Sequence, residues 1–132
     1  MDRKINHIGI AVKSIDDVLN FYEKDLGLEF QGYEIVEEQG VRVAFFKAGE
    51  SRIELLEPLS ENSPIAKFIA KKGEGMHHLA LGSSDLKLDL SNLEKQGVRL
   101  IDKAPRNGAH HTKIAFLHPK SSKGVLVELT EE

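Results

Sequence analysis

The chain has 132 residues, of which 40% are hydrophobic and 30% charged, and its formal net charge is −3. That composition is typical of one globular domain with a hydrophobic core of ordinary size. Disulfides and thiolate metal sites are excluded because cysteine is absent, and the lack of a basic cluster argues against nucleic acid as a partner. No apolar run in the sequence is long enough to cross a bilayer, and the first residues lack the apolar stretch of a signal peptide, so we expect a cytoplasmic protein.

The first half of the sequence predicts the element order β-α-β-β-β. Residues 5–12 alternate and are β-rich, which indicates a strand. Ser14 and Asp17 form a capping pattern before a run of apolar residues at helical spacing, and Gly27 is expected to end that helix. A meander of three strands follows, with a hairpin turn at 37–40 between the first two. Its predicted strands are 28–36, 41–47 and 52–56.

The second half repeats this order after a short joining helix. Ser63 and Pro64 suit the N-cap and the first helical position of that helix, and Gly73 suits its end. In the repeat, Asp85 lies in a Ser-Ser-Asp cap and Gly97 closes the helix. The strands predicted here are 76–82, 98–102, 113–118 and 125–130, with a loop at 105–111. The predicted boundaries are about 5–57 for module one, 63–73 for the joining helix and 76–130 for module two, within a single domain of residues 1–132.

Two histidines and two glutamates occupy matching positions in these halves. His7 lies in Ile-Asn-His-Ile-Gly-Ile and His78 in Met-His-His-Leu-Ala-Leu. Glu54 and Glu128 each lie inside an apolar run, and the interval between them nearly equals the interval between the histidines, so the sequence indicates an internal duplication. A carboxylate on an apolar strand is costly unless it is paired or binds a metal, and two imidazoles with two carboxylates suit a divalent cation. We therefore predict one metal site formed by His7, Glu54, His78 and Glu128.

The other four histidines are weaker candidates for this site. Neighbouring side chains on a strand point to opposite faces, so His77 and His78 cannot both bind the metal, and the alignment of the two halves favours His78. His110 and His111 lie in a polar loop, where they are either exposed to solvent or cover a bound substrate. His118, before a proline, is most simply a residue at a strand end.

Several stretches of the chain resemble the vicinal oxygen chelate (glyoxalase-like) superfamily and, within it, the methylmalonyl-CoA epimerases. These stretches are 5–12, 54–59 with 63–66, 75–78, 116–120 and 124–129. The resemblance implies an α+β fold, in which two paired β-α-β-β-β modules form a curved, mostly antiparallel sheet around a metal cavity. It also implies that His7, His78 and Glu128 are metal ligands. Glu54 stands where members of the family carry Gln or Glu, and it is a direct ligand, a ligand through water, or a base.

The activity implied by this resemblance is the metal-dependent epimerisation of (2R)- and (2S)-methylmalonyl-CoA by proton transfer at C2 through a metal-stabilised enolate. The substrate would be a CoA thioester, and the cofactor one divalent ion, with Co, Ni, Mn, Zn and Mg all compatible with mixed nitrogen and oxygen ligands. Glu54 and Glu128 would act as acid and base on the two faces of the substrate. Val43 stands where some family members carry a catalytic Glu, which leaves the second base open. Lys120 and Lys123 either meet CoA phosphates or belong to a solvated turn.

Two alternatives share the implied fold. A glyoxalase-type lactoylglutathione lyase uses the same metal and a similar proton transfer, but glyoxalases typically have Arg four residues after the first His, where this chain has Ala11. The other is a non-catalytic small-molecule binding protein, although such relatives usually lack the full His/Glu/His/Glu set. We also expect a homodimer in which one chain supplies both modules of each site, because first-strand edges are open templates and the joining helix is short.

Overall fold

The computed structural model describes residues 3–132, and Met1 and Asp2, at the start of the predicted domain, lie outside the described residues. The chain divides into two compact units. The predicted module boundaries stay predictions. The first unit is His7–His77, and the second comprises the residues up to Asn6 together with His78–Glu132.

The first unit contains four strands, two α-helices, a π-helical turn and a short 3-10 helix. In order along the chain these are β1 (Ile5–Ala11, of which the part from His7 belongs here), α1 (Ile15–Asn20), the π-helical turn Phe21–Asp25, β2 (Glu29–Val36), the 3-10 helix Glu37–Gln39, β3 (Val41–Ala48), β4 (Ser51–Pro58) and α2 (Pro64–Lys72). The strands lie in the order β2-β3-β4-β1. β1 runs parallel to β4, whereas the other two pairs are antiparallel.

Strand alternation sorts the side chains of the first unit into two faces. Ala44, Phe46 and Leu55 pack in a buried core with Ile15 of α1, so these strand positions face the helix. Phe45 is the register partner of Glu54, and strand alternation places both on the opposite face. Both are buried, so this opposite face carries a carboxylate shielded from solvent.

The second unit repeats the same arrangement. Its elements are the end of β5 (Gly75–Gly82, from His78 on), α3 (Leu86–Lys95), β6 (Arg106–Asn107), β7 (Lys113–Leu117) and β8 (Val127–Glu131). The strands lie in the order β5-β8-β7-β6, with β5 parallel to β8 and the others antiparallel. The core against α3 consists of Leu86, Leu90, Ala115 and Leu129.

A glutamate from the last strand of each unit accepts a hydrogen bond from the first residue of that unit's helix. The Ile15 N–H donates to Glu57 Oε1 over 2.8 Å, and the Leu86 N–H donates to Glu131 Oε1 over 2.7 Å. Ser14 does occupy the N-cap position of α1, but its side chain makes no capping bond there. At α1 the strand glutamate thus satisfies a donor that the local sequence leaves open. The α3 helix also has the predicted local cap, because Asp85 Oδ1 accepts the Leu88 N–H over 3.1 Å.

Two predictions in the second half are wrong in position. Residues 98–102 do not form a strand: a single bridge joins Leu100 to Leu117. The reason is that the Asp102 carboxylate accepts the Phe116 N–H over 2.8 Å, so a side chain takes the place of the strand's own backbone. The missing strand of the meander is β6, inside the predicted loop, and the last strand begins at Val127 instead of residue 125.

The predicted helix ends and fold class are confirmed. Gly27 and Gly97 follow the two helical segments with φ of +72° and +89°, a conformation that favours glycine. Each unit has the order β-α-β-β-β with mostly antiparallel pairs, as the α+β prediction requires. None of the helices in residues 3–132 has the length and apolar character needed to cross a membrane.

Candidate metal centre

The first unit holds a buried His–Glu pair on two parallel strands. His7 on β1 and Glu54 on β4 are 6% and 4% exposed, and His7 Nδ1 lies 3.3 Å from Glu54 Oε2. The register pairs Glu54 with Gly9, two residues after His7. Because residues two apart on a strand share a face, the ladder itself brings the imidazole and the carboxylate together.

The second unit holds the equivalent pair at the equivalent register. His78 on β5 and Glu128 on β8 are also buried, and His78 Nε2 lies 3.4 Å from Glu128 Oε1. Here Glu128 pairs with Ala80, again two residues after the histidine. The nearly equal intervals between the histidines and between the glutamates in the sequence therefore correspond to one geometry, built twice.

Arg52 lies beside the first pair and influences both of its members. Its Nε atom is 3.5 Å from Glu54 Oε2, and its backbone is the register partner of His7. Burial, with the positive charge of Arg52, lowers the pKa of His7 from 6.5 to about 3. The imidazole is therefore neutral at physiological pH, which is the form that a metal ion binds.

A phenyl ring lies next to each carboxylate. Phe45 and Phe116 are the register partners of Glu54 and Glu128 on the neighbouring strands. The Phe116 ring also meets the His78 ring edge to face, with centroids 5.6 Å apart. An aromatic side chain therefore occupies the strand position beside each buried carboxylate.

Sequence reasoning missed Arg52 and the two phenylalanines. The phenylalanines could have been found, since Phe116 follows Phe45 by the same interval at which His78 follows His7. No comparable repeat existed for Arg52, because the equivalent position two residues before Glu128 holds Leu126.

The remaining candidates lie in other surroundings. His77 is half-buried, and its ring meets Phe68 of α2 edge to face at 4.8 Å. His110 and His111 have φ of +54° and +58° in the turn before β7. The Nδ1 atom of His118 accepts the Lys120 N–H over 3.0 Å. His77 and His118 thus have protein groups as their partners. Lys123, in the same region, is exposed and has φ of +64°.

The place at which the resemblance expected a second base is occupied by a buried aliphatic side chain. Val43 on β3 is 2% exposed and pairs with Leu56 on β4 and with Glu34 on β2. A valine cannot transfer a proton, so this position supplies neither an acid nor a base.

Comparison with known proteins identifies the family and its named members. Residues 6–116 match the model of the glyoxalase/bleomycin resistance protein/dioxygenase superfamily. The chain is 52% identical over 128 residues to an uncharacterised protein of Bacillus subtilis strain 168, with 97% of this chain and 91% of that protein covered. It is 37% identical over 129 residues to human mitochondrial methylmalonyl-CoA epimerase, covering 97% of this chain and 73% of that protein.

A solved structure of a methylmalonyl-CoA epimerase also matches the chain. Streptomyces coelicolor methylmalonyl-CoA epimerase, a variant in complex with 2-nitronate-propionyl-CoA, matches with a TM-score of 0.93 and 42% sequence identity. The match covers 98% of this chain and 94% of that one.

Proposed function

Because the chain belongs to the glyoxalase/bleomycin resistance protein/dioxygenase superfamily, we propose that it is a metal-dependent epimerase that interconverts (2R)- and (2S)-methylmalonyl-CoA. The observation that carries the proposal is the buried His–Glu pair, present once in each unit at the same register. The epimerases among its relatives, at 37% and 42% identity, support the choice of substrate.

The residues of the two pairs fit a divalent cation by their donor chemistry. His7, His78 and Glu128 each offer one ligand atom. Glu54 does not belong to that group of three, although its carboxylate lies beside His7. His7 is held neutral, as binding requires, and mixed nitrogen and oxygen donors accept Co, Ni, Mn, Zn or Mg. When bound, such an ion would supply Lewis acidity that stabilises the negative charge developing on the substrate.

The carboxylates of the chain move the proton. One carboxylate takes the proton from C2: the C–H bond breaks, an O–H bond forms on the carboxylate, and the electron pair moves toward the thioester oxygen. A second acid then returns a proton to the other face of C2, which inverts its configuration. We assign these roles to Glu54 and Glu128. Glu54 would act as the second base, because Val43 occupies the position at which some family members carry a catalytic Glu.

The test measures metal content and isotope exchange on the same preparation. We expect one metal ion per chain and deuterium wash-in at C2 from both (2R)- and (2S)-methylmalonyl-CoA. Glu54→Gln should keep most of the metal but slow exchange from one stereoisomer more than from the other, because a two-base enzyme that loses one base still deprotonates the isomer facing the survivor. Equal, near-wild-type rates from both isomers would remove Glu54 from the chemistry. Lactoylglutathione formation without exchange would indicate the lyase, and metal without turnover would indicate a binding protein.

The ligand assignment has its own test, with a neighbouring histidine as the control. His7→Ala and His78→Ala should each release the metal and abolish exchange, because each removes a nitrogen donor. His77→Ala should keep the bound metal, since its ring packs against Phe68. Metal loss from His77→Ala together with retention in His78→Ala would contradict the assignment; metal content is measured by elemental mass spectrometry.

A further inference from the structure

In the first unit, an aromatic ring covers the corner at which α1 begins beside the sheet. Glu57 on β4 accepts the Ile15 N–H, and Arg42 on β3 is its register partner, with 3.8 Å between Arg42 Nη1 and Glu57 Oε2. Tyr33 on β2 completes the corner, because the centroid of its ring lies 4.0 Å from the Arg42 guanidinium carbon. The phenol ring thus lies on a cation, an arrangement that the ring quadrupole favours.

The second unit builds the same corner from equivalent residues. Glu131 on β8 accepts the Leu86 N–H at the start of α3, and Lys113 on β7 is the register partner of Glu131. Lys113 follows Arg42 by the same interval that separates the histidines of the two His–Glu pairs. The capping carboxylate and the cation of the corner are therefore both repeated.

The residue that carries the ring is not repeated. The register aligns β6 with β2, because Arg106 pairs on β7 with the equivalent of the residue that Glu34 pairs with on β3. Pro105, one residue before Arg106, therefore stands at the position of Tyr33, one residue before Glu34. A proline side chain has no π face, so this position gives the second corner no aromatic ring.

A cleft of about 380 Å³ lies at this corner of the second unit. Its walls include Pro105, Lys113, Glu131 and the start of α3 at Leu86 and Lys87. The volume is within the range of sites that bind small molecules, and it is sufficient for one aromatic ring. The second unit therefore has an open space beside the cation where the first unit has a ring.

The lining of this cleft favours a neutral ring over an anion. The carboxylates of Asp85 and Glu131 balance the ammonium groups of Lys87 and Lys113. The N–H groups at the start of α3 also have protein acceptors, since Glu131 accepts that of Leu86 and Asp85 accepts another. A phenol suits these surroundings, because its face attracts the Lys113 ammonium and its hydroxyl donates to a carboxylate.

We infer that the second unit binds a small phenol in this cleft, with the ring against Pro105 and Lys113, where the first unit places its own Tyr33. The ligand class is a free molecule with one aromatic ring that bears a hydroxyl group. The inference goes beyond the proposed epimerase and is independent of it, because it uses neither His–Glu pair.

A titration of the isotope-labelled full chain with phenol, followed by amide NMR spectra, tests the inference. We expect a dissociation constant in the millimolar range, as is usual for so small a ligand, with the shifts concentrated at Lys87, Ala104 and Lys113. Cyclohexanol has a similar size and the same hydroxyl but no π face, and it should bind about fivefold more weakly. Equal affinities for the two alcohols, or shifts confined to residues outside the cleft, would overturn the inference.

Two variants and a matched control test the residues of the cleft. Pro105→Tyr gives the second corner a ring of its own and should abolish phenol binding. Lys113→Gln removes the cation and should weaken binding about threefold, which gives a second measurement if the tyrosine variant does not fold. Lys103→Gln removes an exposed lysine that pairs with Glu94 outside the cleft, and it should leave the affinity unchanged. Wild-type affinity in both Pro105→Tyr and Lys113→Gln would contradict the proposed site.

The first unit offers a positive control for the same chemistry. Tyr33→Ala removes the ring from Arg42, so phenol should bind there as well and shift the Arg42 amide signal. If phenol binds at Arg42 in this variant but does not bind at Lys113 in the wild type, only the first corner accepts a ring and the inference is overturned.

Discussion

Two adjacent histidines on β5 show how strongly the surroundings of a residue decide its chemistry. His78 is buried next to Glu128, whereas His77 packs against Phe68 of α2. Burial, together with the nearby Lys72 ammonium, lowers the pKa of His77 from 6.5 to about 4. A histidine in this position stays neutral in the folded protein at pH values where the unfolded chain takes up a proton.

This difference predicts a pH dependence of stability at the residue scale. Above pH 7 both states leave His77 neutral, so it contributes nothing to the pH dependence. As the pH falls from about 6.5 to about 4, the unfolded chain binds a proton that the folded protein does not bind, and the free energy of unfolding decreases. His77→Gln should flatten this part of the curve, measured by urea unfolding of metal-free protein at several pH values. Parallel curves for the two proteins would contradict the assignment, and His7, present in both, serves as the internal reference.

At the scale of elements, the duplication extends to the way each helix begins. Glu131 follows Glu57 by the same interval at which Glu128 follows Glu54, and each of the two accepts the first N–H of the helix in its own unit. A carboxylate at this point meets both a donor without an intrahelical partner and the positive end of the helix dipole. In each unit the capping glutamate comes three positions after the glutamate of the His–Glu pair. The same strand therefore carries a residue of the candidate site and the residue that caps the helix.

We expect the two capping glutamates to stabilise the fold to a similar extent. Glu57→Ala and Glu131→Ala should each lower the free energy of unfolding by about 1–2 kcal/mol, the usual cost of a lost helix cap or charge-assisted hydrogen bond. The glutamine variants should lose less, since an amide oxygen still accepts the N–H. Urea unfolding measures the effect, with the exposed Glu61→Ala as control, expected within about 0.5 kcal/mol of the wild type. A loss no larger than that of the control would show that the helices do not depend on these bonds.

At the scale of the whole molecule, the exposed apolar side chains of strand β2 are relevant to the assembly of two chains. β2 stands at the end of the strand order in the first unit, and it exposes Tyr33 and Ile35 at 42% and 57%. Apolar side chains on an edge strand are commonly covered by another chain. The homodimer, in which each chain would supply all four residues of its own site, stays a prediction, and this edge offers a second copy of the chain a surface to cover.

Sedimentation velocity over a range of protein concentrations tests this prediction. We expect a species of twice the 14.7 kDa chain mass at micromolar concentration. Mixing the inactive variants His7→Ala and His78→Ala should not restore activity, because neither chain completes the other's site. A monomer at all concentrations would contradict the dimer, and recovered activity in the mixture would show that the modules are exchanged between chains.

The sequence by itself determined the repeated order of elements and the two His–Glu pairs. Both follow from short-range patterns. Glycine ends a helix because of its own backbone freedom. Alternation along a strand decides that His7 and His78 lie on the face of the strand that also carries the glutamate of the paired strand. The internal duplication strengthens both predictions, because the same pattern of elements and residues occurs in each half. The metal, the substrate and the roles of the glutamates stay proposals that rest on this pattern and on the family.

Only the tertiary structure decided features that depend on partners distant in the chain. Residues 98–102 have the composition of a strand, but the Asp102 side chain takes the Phe116 N–H that a strand would need, and no local pattern shows this. The helix at Ile15 begins on Glu57, far along the chain, although Ser14 stood in the N-cap position. Arg52 is near Glu54 in sequence, yet an arginine on a strand is usually solvated. Strand pairing buries Glu54 beside His7, and Arg52 is therefore the cationic neighbour of a buried carboxylate.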